Sequence, residues 1–308
     1  MVYIDGMSQI TPQGDGWYES PVHYGPGLHP ASDPPYAGIV PSSAARRMSL
    51  LQKRAVATAF KAMDMAGLGM PDAIITATGA GTMKNSENFL LDMVTNGEEG
   101  LSPTPFINST HNTLAATVAI ALGCTGCNTT YSHNAMSFPL ALMDSVIGLE
   151  SGEYSSVLLS AHDELPEHYY RLLEEAGEFV GEPFAGEHSL SFVLRACRGE
   201  RSLAAVHGVE IVSGLSEAVL REKAAHVCDS APDLVITGDV AASKAVFGDA
   251  VPMYPYREIF GCGFSAPAAA LYAAVVFLEK QPSLDAILLH DHYRHRQHSF
   301  VFVKRTAL

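Results

Sequence analysis

Two hydrophobic rhythms run through the 308 residues. Met48, Leu51, Ala55, Phe60 and Met63 recur at helical spacing, with Ser42 and Ser43 as N-cap candidates and Gly67 as a left-handed stop. After Pro71-Asp72 the rhythm changes to a short unbroken apolar run, Ala73–Ala77, the pattern of a strand buried on both faces. Segments 156–161 and 190–196 read the same way. Between the first of these strands and the other two lie a small-residue stretch near Leu114–Leu122 and an apolar segment from about Met136 to Leu149, both predicted helical. The second half repeats the plan: a strand at Asp233–Thr237, a helix rich in Ala and Val at Ser265–Glu279, then strands at Ala286–His290 and Ser299–Val303. Two similar α/β halves whose central helices are apolar all round predict stacked layers, with helices between and outside the sheets. The pattern breaks at Cys197–Ser202 without a Pro- or Ser-rich linker. We therefore read residues 1–200 and 201–308 as a longer and a shortened half of one compact unit.

Composition narrows the class. Hydrophobic residues make up 47% and charged ones 17%, which excludes disorder. With 19 Lys+Arg against 33 Asp+Glu the formal net charge is −14, so neither nucleic acid nor an anionic membrane surface is an expected partner. The N-terminus lacks a basic stretch followed by an apolar core, and Ala266–Leu278 is too short to span a bilayer. Five scattered cysteines fit reduced thiols, and a cytoplasmic location is expected.

Several clusters invite chemistry. Cys124 and Cys127 form a CxxC with no second ligand pair, which favours a tight turn over a redox or zinc site. Gly79-Ala80-Gly81 lacks the ending of a P-loop and reads as a close-packed turn. Ser132-His133 with Asp163 or Asp239 can be assembled into a triad only on paper. The acidic run Glu164–Glu182 reads as a solvated helical face. His290, His292, His295 and His298 are dense enough to hold a metal, and His290 and His292 would share a strand face. A solvated loop or partner surface is the commoner use of such residues, so neither a metal nor another cofactor is expected.

The order of local strings resembles the β-ketoacyl synthase branch of the thiolase superfamily. Val2–Met7 with Thr11-Pro12 is similar to that family's opening strand and turn, and Arg46-Arg47-Met48 through Gly67-Leu68 to its first helix. Thr78–Thr82 with Glu87-Asn88, then Ser102–Phe106, follows the loop into the dimer-forming region. Gly123–Thr129 sits where the family turns before its nucleophile, and Arg257–Ala266 resembles the loop before its second central helix. The resemblance covers nearly the whole chain and implies a layered αβαβα fold.

It also implies lost chemistry. The family's cysteine nucleophile falls at Ala135, its first histidine at Gly238, its second at Cys262, and the lysine five residues earlier at Arg257. A methyl group cannot accept an acyl chain, and without the histidines malonyl decarboxylation is also poorly supported. What remains is the part of a chain-length factor, a ketosynthase homologue that pairs with an active ketosynthase and shapes its acyl tunnel. The sequence looks like a shortened member of that kind, of the sort expected in bacterial aryl-polyene or related pigment pathways. The resemblance assigns the tunnel and dimer region to Phe106, Asn108, Thr110, Asn112, Met136 and Phe264, with Tyr293 near an aromatic gate. Acyl carrier proteins are acidic and dock on basic patches, so a more basic partner would supply that surface to this acidic chain. Two other readings stay open: a divergent acyltransferase using Cys262 or His290–His298, and a homodimeric acyl-binding scaffold.

Overall fold

The computed structural model describes residues 1–40, 45–214 and 216–306. In chain order the strands are β1 (Val2–Ile10), β2 (Leu28–His29), β3 (Ala73–Ala77), β4 (Cys127–Tyr131), β5 (Ser156–Asp163), β6 (Ala185–Gly186), β7 (His188–Arg195), β8 (Ala204–Ser213), β9 (Leu234–Thr237), β10 (Met253–Pro255), β11 (Ala286–Tyr293) and β12 (Gln297–Arg305). The helices are α1 (Leu50–Ala66), α2 (Met83–Asn96), α3 (Pro103–Ile107), α4 (Thr113–Leu122), α5 (Ser137–Glu150), α6 (Glu167–Glu175), α7 (Glu217–Val227), α8 (Val240–Phe247), α9 (Arg257–Phe260) and α10 (Ala266–Lys280).

Ten strands form one ladder in the order β10-β9-β11-β12-β8-β1-β7-β5-β3-β4. Split at its middle, the ladder contains one topology twice. β3 pairs in parallel with β4 and β5, and β7 runs antiparallel between β5 and β1. β9 pairs in parallel with β10 and β11, and β12 runs antiparallel between β11 and β8. The two sets of five meet through three residue pairs, Val2↔Val206, Tyr3↔Ala205 and Ile4↔Ala204.

Alternation along the strands sorts the core into layers, because successive side chains leave opposite faces. Ile74 and Leu158 face α1 and α4, while their neighbours Ile75 and Leu159 face the central helices. In the second set, Val235 and Leu288 face α7, and Ile236 and Leu289 face the same central layer. That layer is α5 and α10. Buried residues fall all round α10, from Ala266 to Leu278, which only an inner layer permits. The expected αβαβα order is therefore what the chain forms, with helices buried between the two sets of strands.

The first helix is capped later than the serine pair suggested. Ser49 accepts from the Gln52 amide, and Gln52 returns a bond to the Ser49 amide, a complete capping box. Ser42 and Ser43 lie outside the described residues. Gly67 ends the helix at φ +60°, as expected.

Candidate functional site

A cavity of about 320 Å³ opens at the ends of the two central helices. Ala135, Arg257 and Cys262, which the resemblance assigns to catalytic positions, line it together with Phe264 of the assigned tunnel and dimer region and Tyr293 of the gate. The remaining wall comes largely from Leu165 to Glu182, the stretch containing α6.

Each side chain has a distinct support. Asn134 turns the chain at φ +49°, which delivers Ala135 to the start of α5. Ser137 locks this turn, accepting from the His133 amide at 2.7 Å and lying 3.1 Å from the Thr78 carbonyl. Cys262 is held from both sides, its amide donating to the Phe184 carbonyl and its carbonyl accepting from the Gly186 amide. Burial pushes its thiol well up, and the nearby Glu182 carboxylate adds to the shift. The thiol is therefore protonated near neutral pH and is a poor nucleophile. In the native protein, iodoacetamide at pH 8 should alkylate exposed Cys197 and leave Cys262 unmodified by peptide mass mapping. Comparable labelling of both would refute the inert thiol.

Arg257 governs the centre. Its Nη2 lies 2.6 Å from Asp291 Oδ1, its Nη1 pairs with Glu182, and Tyr256 donates its hydroxyl to Asp291. Burial disfavours the charge, but Asp291, Tyr256 and Glu182 outweigh it and hold the guanidinium well above its ordinary pKa. The same guanidinium fills the space above Gly238. A Cβ there would lie 2.5 Å from Arg257 Nε and 2.7 Å from Asp291 Oδ1, so no histidine fits while Arg257 stays in place.

The acidic run corrects one expectation. α6 is helical with Glu167 and Glu175 exposed, but Glu164 is buried, and burial raises its pKa to about 7. Glu178 pairs with Arg294 and accepts from the Tyr293 hydroxyl at 3.1 Å, and Glu182 pairs with Arg257. Glu178 and Glu182, from the supposed solvated face, therefore line the cavity.

The four-histidine set does not converge. His290 lies 2.7 Å from Ser243 Oγ and 3.2 Å from His298 Nδ1, and burial lowers its pKa to about 3. His292 instead meets Asp239 at 3.1 Å and His295 at 4.3 Å between ring centroids. Asp239, adjacent to Gly238, was absent from that set because it lies 53 residues before His292. The paper triad does not assemble. His133 contacts Gln297, and Asp163 accepts from Thr78, Gly79, Ala80 and Ser265. Those same amides explain the Gly79 turn, where a Cβ would stand 2.3 Å from Phe264. Among the CxxC residues, Cys124 reaches the Pro71 carbonyl and Cys127 opens β4; both are free thiols.

The other assigned residues lie elsewhere. Phe106 is exposed on α3 against Phe89, Asn108 ends α3, Thr110 contacts Thr113, and Asn112 precedes α4. Met136 is buried at the start of α5. None of these five lines the cavity.

Residues 17–225 match the family description "Beta-ketoacyl synthase, N-terminal domain". The chain belongs to the β-ketoacyl synthase family. Solved structures agree with that fold. The ishigamide ketosynthase/chain length factor superposes with a TM-score of 0.83 at 17% identity, covering 99% of each chain. A structure described as AntDE:AntF, a type II polyketide acyl-carrier protein in complex with its ketosynthase, gives 0.82 at 14% identity with the same coverage. A β-ketoacyl synthase from Burkholderia phymatum STM815 gives 0.80 at 12%, again over 99% of each chain. No curated protein matches this ketosynthase-family chain by sequence. Among the described residues, no helix is long and apolar enough to cross a membrane.

Proposed function

We propose that this chain is a catalytically silent ketosynthase-like subunit that pairs with an active β-ketoacyl synthase and contributes to its acyl-binding region. The observation that carries the reading is the state of the reaction centre. Ala135 brings a methyl group to the helix start, Cys262 brings a buried protonated thiol, and Arg257 occupies the space above Gly238. No activated nucleophile faces the cavity from those positions, and the two imidazoles that line it, His292 and His295, come from the β11–β12 hairpin and not from the positions of the family's histidines.

The surface supports pairing. β4 ends the ladder, and the crossover between β3 and β4 exposes Leu90, Leu91, Val94, Phe106, Ile107 and Ile120. α2 and α3 bury none of their residues, so this apolar surface is unused within the chain. The ketosynthase/chain length factor neighbour suggests the kind of partner, and the acidity of this chain suggests that the partner supplies carrier-protein docking. An aryl-polyene or related pathway remains the proposed setting.

The test is incubation with acyl-CoA and acyl-carrier substrates, read by intact mass, alone and after co-expression with the ketosynthase. The isolated chain should show no acyl adduct, and the co-expressed chains should elute and weigh as a complex. An adduct on Cys262 or a histidine would establish the acyltransferase alternative. A separate monomer under all conditions would remove the pairing role, and lipid recovered from a pure homodimer would favour the scaffold.

A further inference from the structure

At the cavity wall, which His292 and His295 help to line, these two histidines and Asp239 bring three ligand atoms within 4.8 Å of one another. We propose that these residues bind one divalent transition-metal ion, of the Zn²⁺ class, which clasps the tip of the β11–β12 hairpin to the start of α8. This site is independent of whether the chain pairs with a ketosynthase.

The donors are prepared from separate directions. Asp239 caps α8 through Oδ1, which accepts from the Ala242 amide at 3.0 Å, and its Oδ2 lies 3.1 Å from His292 Nε2. His292 is buried at the end of β11, where register fixes it opposite His298. His295 is exposed, which leaves an entry path for an ion. The hairpin takes φ +52° at both Arg294 and His295, and this turn lays the His295 ring over His292. Two imidazoles and one carboxylate form a borderline nitrogen–oxygen donor set, suited to Zn²⁺ and its neighbours rather than to Ca²⁺ or Mg²⁺.

Charge points the same way. Glu178, Glu182, Asp239 and Asp291 stand around the hairpin, and Arg294 and Arg257 are the guanidinium groups paired with them. With the exposed Arg296 of the same hairpin counted, the four carboxylates outnumber the three guanidinium groups by one, so the surroundings are net acidic and favour a cation. On binding, the ion replaces the proton between His292 Nε2 and Asp239 Oδ2, and the neutral ring carries its proton on Nδ1. In the ion-free form that nitrogen accepts from the His295 amide across a long 3.4 Å, so this contact opens when the ion binds.

The experiment is calorimetric titration of the chelator-treated full chain with ZnCl₂ in the presence of a weak competing chelator. One equivalent should bind. His295→Gly, which keeps the left-handed turn, and Asp239→Asn, which keeps the helix cap, should each weaken binding about tenfold or more. His168→Ala, an exposed histidine on α6, should leave it unchanged. No uptake, or uptake weakened by only one or neither of the two site variants, would overturn the three-donor site.

Discussion

Replacing Arg257 with methionine should destabilise the protein by about 3–5 kcal/mol, the usual consequence of stripping one partner from a buried ion pair. Only 12% of the arginine side chain is exposed, against 8% for Asp291 and 20% for Glu182. The variant leaves two desolvated carboxylates facing each other with no cation between them. Asp291 keeps the Tyr256 hydroxyl and the His292 amide, which limits the loss. In a thermal scan the midpoint should fall by roughly 6–10 °C at pH 7.5. The pH dependence follows in sign. Burial raises the pKa of Glu182 in the folded state even with Arg257 present. Removing Arg257 raises it further, so the Glu182 contribution is present below its unfolded value and lost as pH rises through the folded one. The deficit of the variant should therefore shrink on acidification and deepen toward neutral pH. Adding Asp291→Asn should recover much of the loss. A methionine variant as stable as the parent would mean that the network carries no structural weight.

On the pairing proposed above, the paired substitution Leu91→Asp and Val94→Asp should abolish association with a ketosynthase while leaving the isolated chain nearly as stable as before. Both side chains are largely solvent-exposed, at 63% and 80%, so their replacement removes little internal packing. Surface changes of this kind shift stability by about 0.5 kcal/mol or less. An interface that buries the same positions must instead desolvate two carboxylates without partners, and the affinity should fall roughly 100-fold or more. Native mass measurement of the co-expressed pair checks this, with the melting point of the isolated chain as the control. A complex that survives would place the pairing surface away from the β3–β4 crossover.

Legibility in the sequence followed burial. β3 and β5 are buried along their whole length, so their apolar runs were unbroken and unambiguous. α5 and α10 announced themselves as helices apolar all round because they fill the middle layer. β4 carries Asn128 and two threonines on the outermost strand and has no aliphatic run to read. β8 was missed because it is only half-buried from His207 onward and mixes His207 and Glu210 into its pattern. At the site, the strings of the resemblance located Ala135, Arg257 and Cys262 in one cavity. What they could not supply was pairing across long sequence separations. Glu182 and Arg257 are 75 residues apart, and Glu178 and Arg294 are 116 apart. A run of glutamates therefore reads as a wet helix although Glu178 and Glu182 line the cavity. From the sequence Asp239 offers itself only as a triad member, since nothing local ties it to a hairpin 53 residues away.

The position of the Arg257 guanidinium above Gly238 bears on history as well as stability. On the reading proposed above, a return to condensing chemistry would need a cysteine at 135, a histidine at 238 and a histidine at 262. The second of these is blocked by the arginine, and removing the arginine first passes through a destabilised intermediate. A histidine at 238 therefore cannot be gained by one substitution alone, because it requires the Arg257 guanidinium and its ion pairs with Asp291 and Glu182 to be displaced as well.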